Sequence, residues 1–118
     1  MATIKSYTDI SQSRKLAEIL PFESADMYYT KHDTIHANTL YGSCDRQDFY
    51  IREYIPCWSL SALLGVLPYI DFTMPQLIGT PKTLYRCMYN DNLKSHAYDN
   101  PVDACYEMIL KLHELKML

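Results

Sequence analysis

The chain has 118 residues, 48% of them apolar and 21% charged, and its aromatics comprise 11 Tyr, 3 Phe and 1 Trp. That content excludes a disordered chain, and only 3 Gly and 6 Pro exclude collagen-like and low-complexity classes. The length suits a single globular domain over residues 1–118. With 11 basic against 14 acidic residues the net charge is −3. A general nucleic-acid binder draws much of its affinity from neutralising phosphate and needs a basic surplus, so none is expected.

Met1 to Asp9 lacks the apolar run of a signal peptide. No stretch approaches the roughly 20 apolar residues of a membrane-spanning helix, so a cytoplasmic protein without a membrane partner is expected. The cysteines fall at 44, 57, 87 and 105 with no C-x-x-C pair, and read as reduced thiols in that compartment.

The first helix is predicted over Asp9–Leu20. Thr8 or Asp9 supplies the N-cap, Ile10, Leu16, Ala17 and Leu20 fall on one face, and Pro21 ends it. Ala25–Thr30 is a strand candidate. Lys31–Arg46 is polar, without a firm period, and reads as a loop or weak hairpin. Asp48–Tyr54 alternates Phe49, Ile51 and Glu53 against Tyr50, Arg52 and Tyr54, as a strand does.

Pro56-Cys57-Trp58-Ser59 leads into a short helix over Leu60–Leu67, with Ser59 as N-cap and Trp58 stapled to Leu63. Lys82–Tyr89 alternates again, Asn90-Asp91-Asn92 carries turn chemistry, and Leu93–Tyr98 returns as the partner strand. The last helix is predicted over Pro101–Lys116. Asn100 caps it, Pro101 takes its first position, and Val102, Cys105, Met108, Ile109, Leu112 and Leu115 form its apolar face. Glu107 and Lys111 make an i, i+4 pair on its exposed side. The fold class is therefore α+β, with a small, mostly antiparallel sheet and about three helices packed on one face. Leu16–Phe22 echoes Leu63–Tyr69, a likeness that the common Leu-Pro helix ending explains without duplication.

Chemistry-bearing residues are sparse. His32 and His36 stand four apart, as two zinc ligands on a helix do, with Asp33 and Cys44 near enough in sequence to be recruited. The segment has little helical pattern and no second close ligand pair, so polar loop histidines are the plainer reading. Cys57 lies just before a helix start, where amide dipoles would lower a thiol pKa. No activating base accompanies it, and it also reads as a core residue seating Trp58. Cys87 and Cys105 read as small core residues. Glycines at 42, 65 and 79 form neither a phosphate loop nor a dinucleotide fingerprint. No catalytic, cofactor or metal residue is assigned.

Tyrosine is the compositional outlier. The residues in expected strands, Tyr28, Tyr29, Tyr50, Tyr54, Tyr85, Tyr89 and Tyr98, allow three readings. They border a small sheet with ring in and hydroxyl out; they form an aromatic protein-contact platform; or they stack single-stranded bases, which the net charge opposes.

Three segments carry a resemblance: Glu23–Met27; Ile55–Leu60 with Ala62-Leu63-Leu64; and Asn100–Cys105 running to Leu112–Leu115. Together they resemble a set of short proteins of gut anaerobic bacteria and of their phages and mobile elements. The resemblance covers about half the chain and carries over no functional residue. It implies an accessory or phage-type gene rather than a housekeeping enzyme. The expected function is a small, cytoplasmic, non-catalytic protein-interaction module that self-associates, with a homodimer the expected form; the alternative is a small metal- or thiol-dependent enzyme using His32, His36, Cys44 or Cys57.

Overall fold

The computed structural model describes residues 5–30, 35–37, 53–70, 73–79 and 84–118. These contain three α-helices and two three-stranded antiparallel sheets. The α+β class and the antiparallel pairing expected from the sequence are present, with the strands divided between two sheets. The chain groups into two compact units, Tyr7–Ala62 and Met1–Ser6 with Leu63–Leu118, and the division falls inside the second helix, α2 (Leu60–Val66).

In the Tyr7–Ala62 unit, α1 (Ile10–Ala17) begins at a capping box. The Asp9 carboxylate accepts from the Gln12 amide at 2.8 Å, and the Gln12 side chain returns to the Asp9 amide at 3.1 Å. A short 3-10 turn, Phe22–Ser24, follows Pro21. The sheet has the order β2-β1-β3, with β1 at Met27–Tyr29, β2 at Ile35–Ala37 and β3 at Ile55–Cys57. Met27 lies opposite both Ala37 and Cys57. α1 packs against β3. Leu16, Leu20, Ala25, Tyr29, Cys57 and Trp58 are buried.

The strand begins at Ile55, after the predicted Asp48–Tyr54 segment, of which residues 48–52 lie outside the described region. Glu53 has φ 60° and stands, with Tyr54, outside β3. Pro56-Cys57-Trp58-Ser59 leads into the helix as expected, and its first two residues also form the end of β3, a strand the sequence did not mark. Proline lacks a ladder N–H and is tolerated there because β3 is an edge strand. The polar Lys31–Arg46 stretch contains β2; its other residues lie outside the described region.

In the second unit the sheet order is β4-β5-β6, with β4 at Gln76–Gly79, β5 at Tyr85–Asn90 and β6 at Leu93–Lys94. The turn forms as its residues dictate: the Asn90 side chain accepts from the amides of Asn92 and Leu93 at 2.8 and 2.9 Å. The return strand is shorter than expected. At Ser95 the side-chain oxygen, not a backbone carbonyl, receives the Cys87 amide at 3.0 Å, and strand pairing resumes only at the isolated Tyr85–Tyr98 bridge.

The last helix, α3 (Pro101–Glu114), packs on β5. Asn100 caps it as expected, accepting from the Asp103 amide at 2.8 Å. Val102, Cys105, Met108, Ile109 and Leu112 are fully buried. Removing each such side chain from water contributes on the order of 1.5–3 kcal/mol. Leu115, placed on the same face by its spacing, is 57% exposed because the helix has already ended. The termination is a Schellman pattern: the Met117 amide bonds the Leu112 carbonyl, the Lys116 amide bonds that of His113, and Lys116 sits at φ 60°. Among the described residues no helix is long and apolar enough to cross a membrane.

Candidate functional site

Of the residues expected for metal or thiol chemistry, His32, Asp33 and Cys44 lie outside the described region. The His36 backbone is in β2, opposite Tyr28. Among the described residues no group of three or more His, Cys, Asp or Glu is placed to hold a metal ion.

Cys57 is fully buried, and that overturns its expected activation. Its thiol stands in a polar core knot 3.5 Å from the Thr8 hydroxyl and 3.4 Å from the Thr8 carbonyl. Burial pushes it up, against the opposing hydrogen bonds of Thr8, Ser13 and Tyr29. The same knot joins the Thr8 and Ser13 hydroxyls at 2.8 Å, the Trp58 amide to the Thr8 hydroxyl at 3.2 Å, and the Tyr29 hydroxyl to the Thr8 carbonyl at 2.7 Å. Cys87 on β5 and Cys105 on α3 are likewise fully buried free thiols, and a hydrogen bond to Cys87 together with burial pushes the Cys105 thiol up. Three thiols are thus core groups, unavailable as nucleophiles in the folded chain.

Most of the described tyrosines are half-buried. Tyr29 and Tyr89 are buried, with the Tyr89 hydroxyl on the Pro68 carbonyl at 2.6 Å. Tyr28 and Tyr54 stack with centroids 4.7 Å apart, and Tyr7 meets Tyr29 edge-on. Tyr69, at 69%, is the one largely exposed tyrosine among the described residues. Ring-in, hydroxyl-bonded packing therefore accounts for Tyr29, Tyr89 and Tyr98, and neither a platform nor a stacking ladder is built from them.

Two surface features remain, both in the second unit. The first is the edge of its sheet. Among the described residues β4 pairs only with β5, from Gln76 opposite Met88 to Gly79 opposite Tyr85. Every second residue of an edge strand turns its N–H and C=O away from its neighbour. Ile78 on β4 is 38% exposed and Met74 just before it 48%, and Thr73–Gly79 contains no ionisable residue. The spacing of this segment is too short for periodicity to have marked it as a strand.

The second feature is a cleft of about 240 Å³ where β5, the β5–β6 turn, the chain after β6 and α3 converge. Arg86, Lys94, His96 and Lys111 line it together with Asp91. Glu107 organises one wall. It accepts from the Tyr98 hydroxyl at 2.6 Å, the His96 amide at 2.9 Å and His96 Nδ1 at 2.7 Å, with the Lys111 ammonium at 3.4 Å. Burial favours its neutral form, but those donors outweigh burial and hold the carboxyl below its ordinary value. Its side chain is 17% exposed, so the pair with Lys111 forms as expected but at a half-buried position. Lys111 also donates to the Lys94 carbonyl at 2.7 Å. Arg86 Nε is buried without a hydrogen-bond partner among the described residues. An unsatisfied buried donor costs on the order of 1–3 kcal/mol. No sequence signal marked this cleft, because its cations come from three elements separated along the chain.

Comparisons with protein-family models, with curated proteins and with solved structures find no match to this chain.

Proposed function

We propose that the chain is a small, cytoplasmic, non-catalytic interaction module that pairs with a second copy of itself through β4. The exposed, charge-free edge of β4 carries this reading. An antiparallel pairing of β4 with its own copy places one patch against itself about a two-fold axis, the commonest oligomer symmetry. Each copy contributes outward N–H and C=O groups and the apolar side chains of Met74 and Ile78, which are 48% and 38% exposed. With no ionisable residue in Thr73–Gly79, the facing strands meet no like-charge repulsion. The burial of Cys57, Cys87 and Cys105 supports the same reading against a thiol enzyme. The resemblance to short proteins of gut anaerobes and their phages and mobile elements supports an accessory role. Its net charge of −3 disfavours nucleic acid as the partner.

Size-exclusion chromatography with light scattering tests it. The native chain is expected to run as a dimer at tens of micromolar, and Ile78→Lys and Met74→Lys as monomers with unchanged far-UV circular dichroism. A native chain that stays monomeric across that range, or a dimer untouched by either folded variant, overturns the reading.

A further inference from the structure

We infer that the cleft between the β5–β6 hairpin and α3 binds a phosphate-type oxyanion, free or as the terminal group of a small phosphomonoester. Three cations, Arg86, Lys94 and Lys111, line it together with His96, against the carboxylate of Asp91 in the lining and that of Glu107 on His96 and Lys111. That gathering occurs in a chain whose net charge is −3, so it inverts the local sign of the surface. An anion in the cleft offsets the mutual repulsion of those cations.

Two of the lining groups are held by bonds. Lys111 is fixed by the Lys94 carbonyl at 2.7 Å and by Glu107 at 3.4 Å. Two such acceptors leave one of its three N–H groups for a ligand. The His96 ring is fixed through Nδ1 on Glu107 at 2.7 Å, and its Nε2 has no partner among the described residues. Arg86 is anchored by its place in β5, opposite Ile78 of β4. Its planar fork matches two oxygens of a phosphoryl group, which a single ammonium does not. A volume of about 240 Å³ holds a phosphoryl group with a few further atoms and excludes a duplex.

The test is a titration of the full ¹⁵N-labelled chain with sodium phosphate at pH 7.5, against sodium chloride at matched ionic strength. Saturable amide shifts are expected at Asp91–His96 and Arg86 with phosphate and not with chloride. Glycerol phosphate in the same titration separates the two sources of the group: tighter binding than phosphate assigns the monoester, equal or weaker binding the free ion. Arg86→Gln is expected to weaken binding about tenfold or more. Lys94→Gln, which removes a cation outside the buried part of the cleft, is expected to weaken it in a chain whose spectrum is otherwise unchanged. Shifts that chloride reproduces, an affinity unchanged in both folded variants, or shifts centred away from the cleft overturn the inference. So does a single-stranded oligonucleotide that binds the cleft more tightly than either small probe.

Discussion

The Tyr98 hydroxyl donates to Glu107 Oε1 at 2.6 Å, and the His96 ring reaches the same oxygen at 2.7 Å. One carboxylate on α3 therefore clamps the chain that leaves β6. Replacing Glu107 with Gln weakens a charge-assisted set of bonds and is expected to cost about 1–2 kcal/mol at pH 7. Because its folded pKa is lowered, its contribution is present above the ordinary carboxylate value and is lost as pH falls through the folded value. Urea unfolding at pH 7 and near pH 3.5 checks this: the gap between native and E107Q proteins closes in acid. A gap of equal size at both pH values contradicts it.

The alkaline limb has its own expectation. The Tyr98 phenol, donating to Glu107 and part-buried, is pushed up to about 12, and burial pushes Tyr89 up to about 12. Burial raises the Cys57 thiol as well. Each folded value stands above its unfolded one, so the stability these groups supply is intact below the unfolded values and falls as pH rises through the folded ones. Urea midpoints are expected to decline steadily between about pH 9 and pH 12, across the unfolded and folded values of these groups. Tyr98→Phe flattens that decline; a variant curve parallel to the native one rules out the Tyr98 contribution.

Thr8 is the hinge pin of the other unit. Its hydroxyl meets Ser13 Oγ at 2.8 Å and the Trp58 amide at 3.2 Å, all buried. Thr8→Val keeps the shape and deletes the hydroxyl, leaving those groups unpaired, and is expected to cost about 1–3 kcal/mol. Thr8→Ser keeps the hydroxyl and loses only a methyl, so it should cost less. Denaturant midpoints rank the three proteins, and a valine variant as stable as the native chain removes the knot from the stability account.

The end of α3 offers a gain. Lys116 holds φ 60° at the position where a Schellman termination favours glycine. Lys116→Gly relieves a left-handed conformation that costs a side-chain-bearing residue about 1 kcal/mol, and stability should rise by roughly that amount. A drop in thermal midpoint would show that the lysine side chain contributes more than its backbone strain removes.

How much of this was legible beforehand depends on where the signal lies along the chain. Asn100, Pro101 and the spacing from Val102 to Leu112 specify α3 locally, and the structure follows them. Asp9 specifies α1 in the same way, and Ser59, whose hydroxyl accepts the Ala62 amide at 3.2 Å, specifies α2. β1 was legible within Ala25–Thr30, but in β3 three residues carry too little alternation, and the proline within it, Pro56, argues against a strand until it is known to be an edge. The cleft was illegible for a different reason. Arg86, Lys94 and Lys111 are unremarkable singly, and their meeting depends on β5, β6 and α3 coming together. Ser13 also escaped notice, since a buried hydroxyl has no periodic signature.

Trp58 is the chain's single tryptophan, fully buried, with its indole N–H on the Ser24 hydroxyl at 3.0 Å. It lies in the Tyr7–Ala62 unit, while the longest helix, α3, lies in the other. The molecule therefore carries a separate optical reporter for each half: indole emission follows one, and helical ellipticity is weighted toward the other. Superimposed melting curves from the two signals would mean that the halves unfold as one cooperative body, and displaced curves would order their loss.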